Sequence, residues 1–291
     1  MEQQKQGKLN QLQRLLPEGL VVDAAWLERH SYSGALRKRY VSAGWLEQVT
    51  RGVYRRPPGE LDILGGATEK VQWQTIVISL QTLLQRPVAV GGRTALEFQG
   101  FAHYLSSGGF HEIHLYGDAP LPRWVFKLPL DSRFLYHNAN RLFKSRAIGQ
   151  SNSDLEWLPS NRENANLEER GLRREFWGHW KWPLTLSTPE RAILELLDEV
   201  PQNETFHQAD VLMEGLRTLS PKRLQSLLTD CRSVKVKRLF FWFAERHKHT
   251  WLNRLDPTSI DFGKGKRVLV RGGKLDRKYL ITVPENLDAG G

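Results

Sequence analysis

The side chains most able to do chemistry in this chain are cationic. Ser33 opens the run SGALRKRY, which holds Arg37, Lys38 and Arg39, and VTRGVYRR follows with Arg51, Arg55 and Arg56. Guanidinium and ammonium groups at this density suit phosphate, and on a helix they suit the guanine acceptors of a major groove. A second run, KGKRVLVRGGKLDRK, carries Lys264, Lys266, Arg267, Arg271, Lys274, Arg277 and Lys278. These suit phosphate contacts, and equally a solvated hairpin whose lysines prevent edge pairing. Residues of catalytic type are scattered by comparison. His111 and His114, near His103, alternate on a strand pattern, and His247 and His249 lie ~200° apart on a helical wheel, so neither spacing suits zinc. Cys231 ends an amphipathic helix and reads as core. GKGKRV has the composition of a phosphate loop without its G-x4-GK[S/T] spacing, and no G-x-S-x-G occurs. Nothing in the spacing singles out Glu97 or Asp131. The expectation is a non-enzymatic protein with no cofactor and no metal site.

The elements that must position the first cationic run are legible. Asp23 is an N-cap for a helix over Ala24–Arg29, His30–Tyr32 makes a turn, and a second helix spans Ser33 to Ala43. On a 3.6-residue wheel Tyr32, Leu36, Tyr40 and Ala43 face inward. Gly34, Arg37, Lys38, Val41 and Ser42 face outward, with Ser33 and Arg39 at the flanks. Gly44 stops the helix. Leu46–Val49, a turn at Thr50-Arg51-Gly52 and Val53–Arg56 read as a hairpin ended by Pro57-Pro58-Gly59. This order describes a winged helix-turn-helix, with Arg51, Arg55 and Arg56 as phosphate contacts from the wing.

The chain has 291 residues, 40% of them hydrophobic, with ten Trp and twelve Phe, enough for a substantial core. Its single cysteine excludes an intrachain disulfide and fits a reducing cytoplasm. No apolar run approaches the ~20 residues of a membrane span. The opening MEQQKQGKLNQLQ lacks a signal-peptide core. Net charge is +10, with +5 held in residues 30–56 and +10 in residues 231–280, so the rest is mildly acidic. Two separate anion-facing surfaces follow from that segregation.

The fold class expected is α+β, with a winged helix-turn-helix at 1–60 and a larger mixed α/β domain at 61–291. A helix over 4–16 completes the N-terminal lobe. Residues 68–86 are a candidate connecting helix. Strands are expected at 88–90, 111–116, 124–128 and 133–137, and a short helix at 93–98. Residues 149–170 read as a long polar loop, and 176–182 are dense in aromatics. Ser187-Thr188-Pro189-Glu190 is a strong helix start. Further helices fit 204–217, 220–231 and 233–248, the last with Lys235, Lys237, Arg238, Arg246 and Lys248 mostly outward. Strands at 267–270 and 279–283 around Gly272-Gly273 close the chain.

The segment SGALRKRYVSAGWLEQVTRGVYRR resembles the N-terminal winged helix of AbiEi-family antitoxins, which belong to type IV toxin–antitoxin phage-defence systems. GGRTALEFQGFAHYL (91–105), LSTPERAILELLDEV (186–200) and GKGKRVLVRGGKLDRKYLITVP (263–284) are similar to the family's C-terminal region. The resemblance implies an autorepressor that binds inverted repeats in its own promoter, on double-stranded DNA. It implies a nucleotidyltransferase-like toxin as functional partner, without a stable complex, and antitoxicity seated in the C-terminal domain. It also implies a basic C-terminal face used on DNA. Carried over by position, Arg37, Lys38 and Arg39 match the recognition helix, and Arg51 and Arg55 the wing. Two other classes remain open: a protein-binding antitoxin that masks its toxin, and a nucleic-acid-processing enzyme targeted by a winged helix.

Overall fold

The computed structural model describes residues 2–57, 71–101, 111–149 and 166–287, with side chains from residue 7 onward. The N-terminal unit comprises α1 (Glu2–Leu15), β1 (Val21–Asp23), α2 (Ala24–Arg29), α3 (Gly34–Ser42), β2 (Glu47–Thr50) and β3 (Val53–Arg55). Side-chain caps set both helix starts. Asp23 accepts from the Trp26 N–H at 2.8 Å, and Ser33 from the Leu36 N–H at 3.4 Å. Gly52, at φ +78°, turns the hairpin between β2 and β3. β3 is the central strand of an antiparallel β1-β3-β2 sheet. Leu12, Leu16, Leu27, Tyr32, Tyr40 and Leu46 fill the space beneath it. Ala43, placed inward by the wheel, is exposed, because the helix unwinds into its C-cap there.

α4 (Trp73–Thr82) joins this unit to the rest. The Ser79 hydroxyl accepts from the Val21 N–H of β1 at 2.8 Å, while the helix also packs against the C-terminal sheet. One hydrophobic cluster accordingly runs from Leu12 to Leu287. The second sheet contains β4 (Val88–Val90), β5 (His111–Gly117), β6 (Ser132–Asn138), β7 (Leu172–Trp177) and β8 (Trp182–Ser187), in the order β6-β5-β4-β8-β7. β4–β5 and β7–β8 are antiparallel, whereas β4–β8 and β5–β6 are parallel. Five helices accompany it: α5 (Gly92–Phe98), α6 (Pro189–Glu199), α7 (Phe206–Gly215), α8 (Pro221–Asp230) and α9 (Val234–His247). The molecule is α+β, with an N-terminal unit and a larger mixed-sheet C-terminal part. No helix among the described residues is long and apolar enough to cross a membrane.

Gly91-Gly92 and α6 meet at a buried polar node. Glu195 accepts from the Gly92 N–H at 3.0 Å, the Ser187 hydroxyl at 2.8 Å and Arg191 Nε at 2.8 Å. Arg191 also donates to the carbonyls of Arg146 and Arg170 and lies over the Phe143 ring. A Cβ at Gly91 would overlap the Glu195 carboxylate and the Tyr116 ring, so only glycine fits there.

Several expectations are corrected. Residues 124–128 are not a strand: Arg123–Lys127 is a 3-10 turn. β5 and β6 are parallel, so the chain between them must leave the sheet to cross over. The aromatic-rich stretch at 176–182 is the tip of the β7–β8 hairpin. Residues 267–270 are irregular apart from one bridge from Arg267 to Ile281, and the closing hairpin pairs β9 (Lys274–Asp276) with β10 (Ile281–Val283). Lys237 and Arg238 are buried rather than outward. His103, the connector at 61–66 and most of the polar stretch at 149–170 lie outside the described residues; 166–169 form one helical turn.

Candidate nucleic-acid interface

α3 and the β2–β3 hairpin display part of the expected cationic set. Lys38, Arg39 and Arg51 are exposed and make no ion pair among the described residues. Ser33 is exposed at the start of α3 while its hydroxyl caps the helix. Trp45, between α3 and the hairpin, is 45% exposed, a surface aromatic that periodicity did not single out.

Three expected contacts are spent inside the fold. Arg37 does not face outward. Its Nη1 donates to Tyr32 O at 3.0 Å and Ala24 O at 3.3 Å, and its Nη2 pairs with Glu28 at 2.9 Å. Helical side chains lean back over the preceding turn, and Arg37 lies one turn after the α2–α3 corner, so its guanidinium locks that corner. Arg55 sits in the central strand, directly across from Glu47, and pairs with it at 2.7 Å. Arg56 donates to Gln13 O and Leu16 O at the end of α1 and pairs with Glu18. Neither arginine is on the wing tip.

The C-terminal cations are placed differently. Lys264, Lys266, Arg267, Arg271 and Lys274 are all exposed, on the loop before β9 or on β9 itself. Lys278, by contrast, pairs with Glu245 on α9. The structure brings 264–267 together as one cationic turn.

The grouping most like an acid–base site is partly buried. His114 Nδ1 meets His137 Nε2 at 3.1 Å, His137 Nδ1 meets Glu199 at 3.1 Å, and Glu204 lies 3.3 Å from Arg93 Nε and 3.7 Å from His114 Nε2. The Glu204 and His114 side chains are almost wholly enclosed, whereas His137 and Glu199 keep some exposure. Among the described residues no three His, Cys, Asp or Glu side chains could hold a metal. Burial raises the Glu204 carboxyl from 4.5 to about 7, against a lowering influence from Arg93. Burial, with His137 and Arg93, lowers His114 to about 3. Burial would raise Glu199, but hydrogen bonds from His137 and Asn203 outweigh it and lower the carboxyl to about 2.

Between those Glu204 values the folded chain keeps a proton that the unfolded chain has released. Its contribution to stability therefore falls as pH rises from 4.5 to about 7. Glu204→Gln is expected to gain on the wild type across that window, by about 2–3 kcal/mol in total. Urea midpoints at about pH 5 and about pH 8 measure the gap, and a gap independent of pH would rule the assignment out.

Two family models match the chain. One, described as transcriptional regulator, AbiEi antitoxin, type IV TA system, matches residues 111–284; the other, the AbiEi antitoxin N-terminal domain, matches residues 5–107. No curated protein sequence matches at a significant level. The crystal structure of the RV2827C protein from Mycobacterium tuberculosis is similar over 96% of this chain and 90% of that one, with a TM-score of 0.54 and 14% identity. That is a likeness of fold. The family models between them cover α2, α3, the β2–β3 hairpin, the mixed sheet and the cationic tail, and the chain belongs to the AbiEi antitoxin family of type IV toxin–antitoxin transcriptional regulators.

Proposed function

We propose that this protein represses its own promoter by binding inverted repeats in duplex DNA. In this reading residues 1–60 are the reading head and residues 61–291 neutralise a nucleotidyltransferase-like toxin, in the cytoplasm and as part of phage defence. α3 enters the major groove with Lys38, Arg39 and Ser33, and Arg51 holds backbone phosphate from the hairpin tip. The observation that carries this is the exposed set Lys38, Arg39 and Arg51, free of ion pairs among the described residues while Arg37, Arg55 and Arg56 fix the scaffold beneath. The antitoxin counters its toxin functionally, without forming a stable complex with it.

The test has two arms on the full-length chain. Fluorescence anisotropy should show tighter binding to a duplex spanning its own promoter than to a scrambled duplex, with a steep salt dependence. Co-expression should restore growth stopped by the neighbouring nucleotidyltransferase-like toxin, while a pull-down at moderate salt recovers neither protein with the other. Equal, weak binding to both duplexes would defeat the repressor assignment. Co-purification would instead favour direct masking of the toxin.

A further inference from the structure

Arg238 sits mid-helix on α9, and only 2% of its surface meets solvent. Its guanidinium turns to the main chain of the cationic tail. Nε donates to Phe262 O at 2.8 Å, Nη1 to Gly265 O at 2.7 Å and Leu280 O at 3.3 Å, and Nη2 to Gly263 O at 3.2 Å. Carbonyls that would otherwise edge the loop with negative charge are thereby drawn inward.

A trans peptide points its N–H opposite to its C=O. With Gly263 O and Gly265 O turned to Arg238, the N–H groups of Lys264 and Lys266 point away from it. Neither makes a hydrogen bond among the described residues. Gly263 and Gly265 stand at φ +61° and +76°, left-handed conformations that alternate with the two lysines. The Gly263 N–H is held by Asp261 Oδ1 at 2.8 Å, which leaves the Lys264 and Lys266 amides as the outward pair, and outward backbone amides of such turns receive anions. Both lysine side chains are exposed and lack an ion pair among the described residues, and Arg267 follows directly. The turn therefore combines outward amides, two ammonium groups and a guanidinium, over a buried cation that has taken up its acceptors.

We propose that Gly263–Lys266 is a seat for a phosphate group, with Arg238 as its positioning residue. The ligand is a tetrahedral phosphate oxyanion, supplied by a duplex backbone or by free phosphate. In its duplex form the seat rests on the DNA-binding reading above; as a seat for phosphate alone it does not.

The test uses the full chain, four single variants and one double. Gly265→Val places a β-branched residue where φ is left-handed, in open space with no neighbour to clash with, so it disturbs the turn and not the core. Gly265→Asn is the control, since Asn tolerates that conformation. Arg238→Lys keeps the charge and loses the fork. Lys266→Ala removes one ligand group.

In duplex titrations over a range of salt, Gly265→Val, Arg238→Lys and Lys266→Ala should each flatten the log–log slope by roughly 0.9 for every phosphate no longer neutralised, and Gly265→Asn should not. Lys266→Ala should add nothing further in the Arg238→Lys background, a non-additivity that general loss of stability would not produce. In the second arm, inorganic phosphate at constant ionic strength should shift the amide resonances of Lys264 and Lys266 in the wild type but not in Gly265→Val.

Phosphate-induced shifts with unaltered duplex slopes would assign the seat to free phosphate. Unaltered slopes together with absent shifts would overturn it. A wild type that ignores duplex DNA altogether would defeat the DNA-binding reading, and the phosphate arm would then decide the seat by itself.

Discussion

Alanine at Lys38, Arg39 and Arg51 together should weaken binding to the promoter duplex by roughly 3–5 kcal/mol, a hundredfold to a few thousandfold. Those three side chains project from α3 and the hairpin tip with no ion pair among the described residues, so their removal weakens the hold on DNA and costs little of the fold. The share that comes from base edges should disappear as sequence discrimination. The share that comes from phosphate should disappear as salt dependence, by roughly 0.9 in slope for each phosphate. Anisotropy titrations with promoter and scrambled duplexes separate the two. Binding within twofold of wild type would remove α3 from the interface. Arg37→Ala belongs to a different class. It frees the carbonyls of Tyr32 and Ala24 and leaves Glu28 unpaired, so about 1–2 kcal/mol of the corner's stability should go, visible as a lower melting temperature.

Glu195→Ala should destabilise the C-terminal part by about 3–5 kcal/mol in urea unfolding. The side chains of Arg191 and Glu195 are fully enclosed, so alanine leaves a buried guanidinium without its counter-charge. The Gly92 N–H and the Ser187 hydroxyl lose their acceptor at the same time. Replacing both partners by apolar residues, Arg191→Met with Glu195→Leu, should recover part of the loss because no orphaned charge remains. A single-variant loss below about 1 kcal/mol would mean that water or another group takes over the pairing.

The elements legible in the sequence were those with local signals. Asp23 caps as its position suggested, and the Ser-Thr-Pro-Glu start opened α6 where expected, although the Thr188 hydroxyl makes no cap bond. Cys231 is buried core. What was not legible depends on partners distant in the chain. A wheel treats Arg37 and Arg238 as polar and sends them out, yet each meets backbone carbonyls that only the tertiary fold supplies. Arg55 looked like a wing contact because sequence alone did not reveal that β1 would pair with β3 and make it a central strand. Trp124–Leu128 alternated like a strand, but its place in the crossover between parallel strands overrode that pattern. For the proposed interface, the exposure of Lys38, Arg39 and Arg51 agrees with charge and spacing, whereas the turned-in carbonyls of the tail had no sequence signal.

The bond from the Val21 amide to the Ser79 hydroxyl ties the first sheet to the helix beneath the second, within one uninterrupted hydrophobic cluster. A gene fragment beginning after residue 60 would encode α4 stripped of the cover that β1 gives it, a product prone to clump. Mutants in which one role is lost and the other kept should thus arise by surface substitution and seldom by deletion. A shortened allele should behave as a null for both.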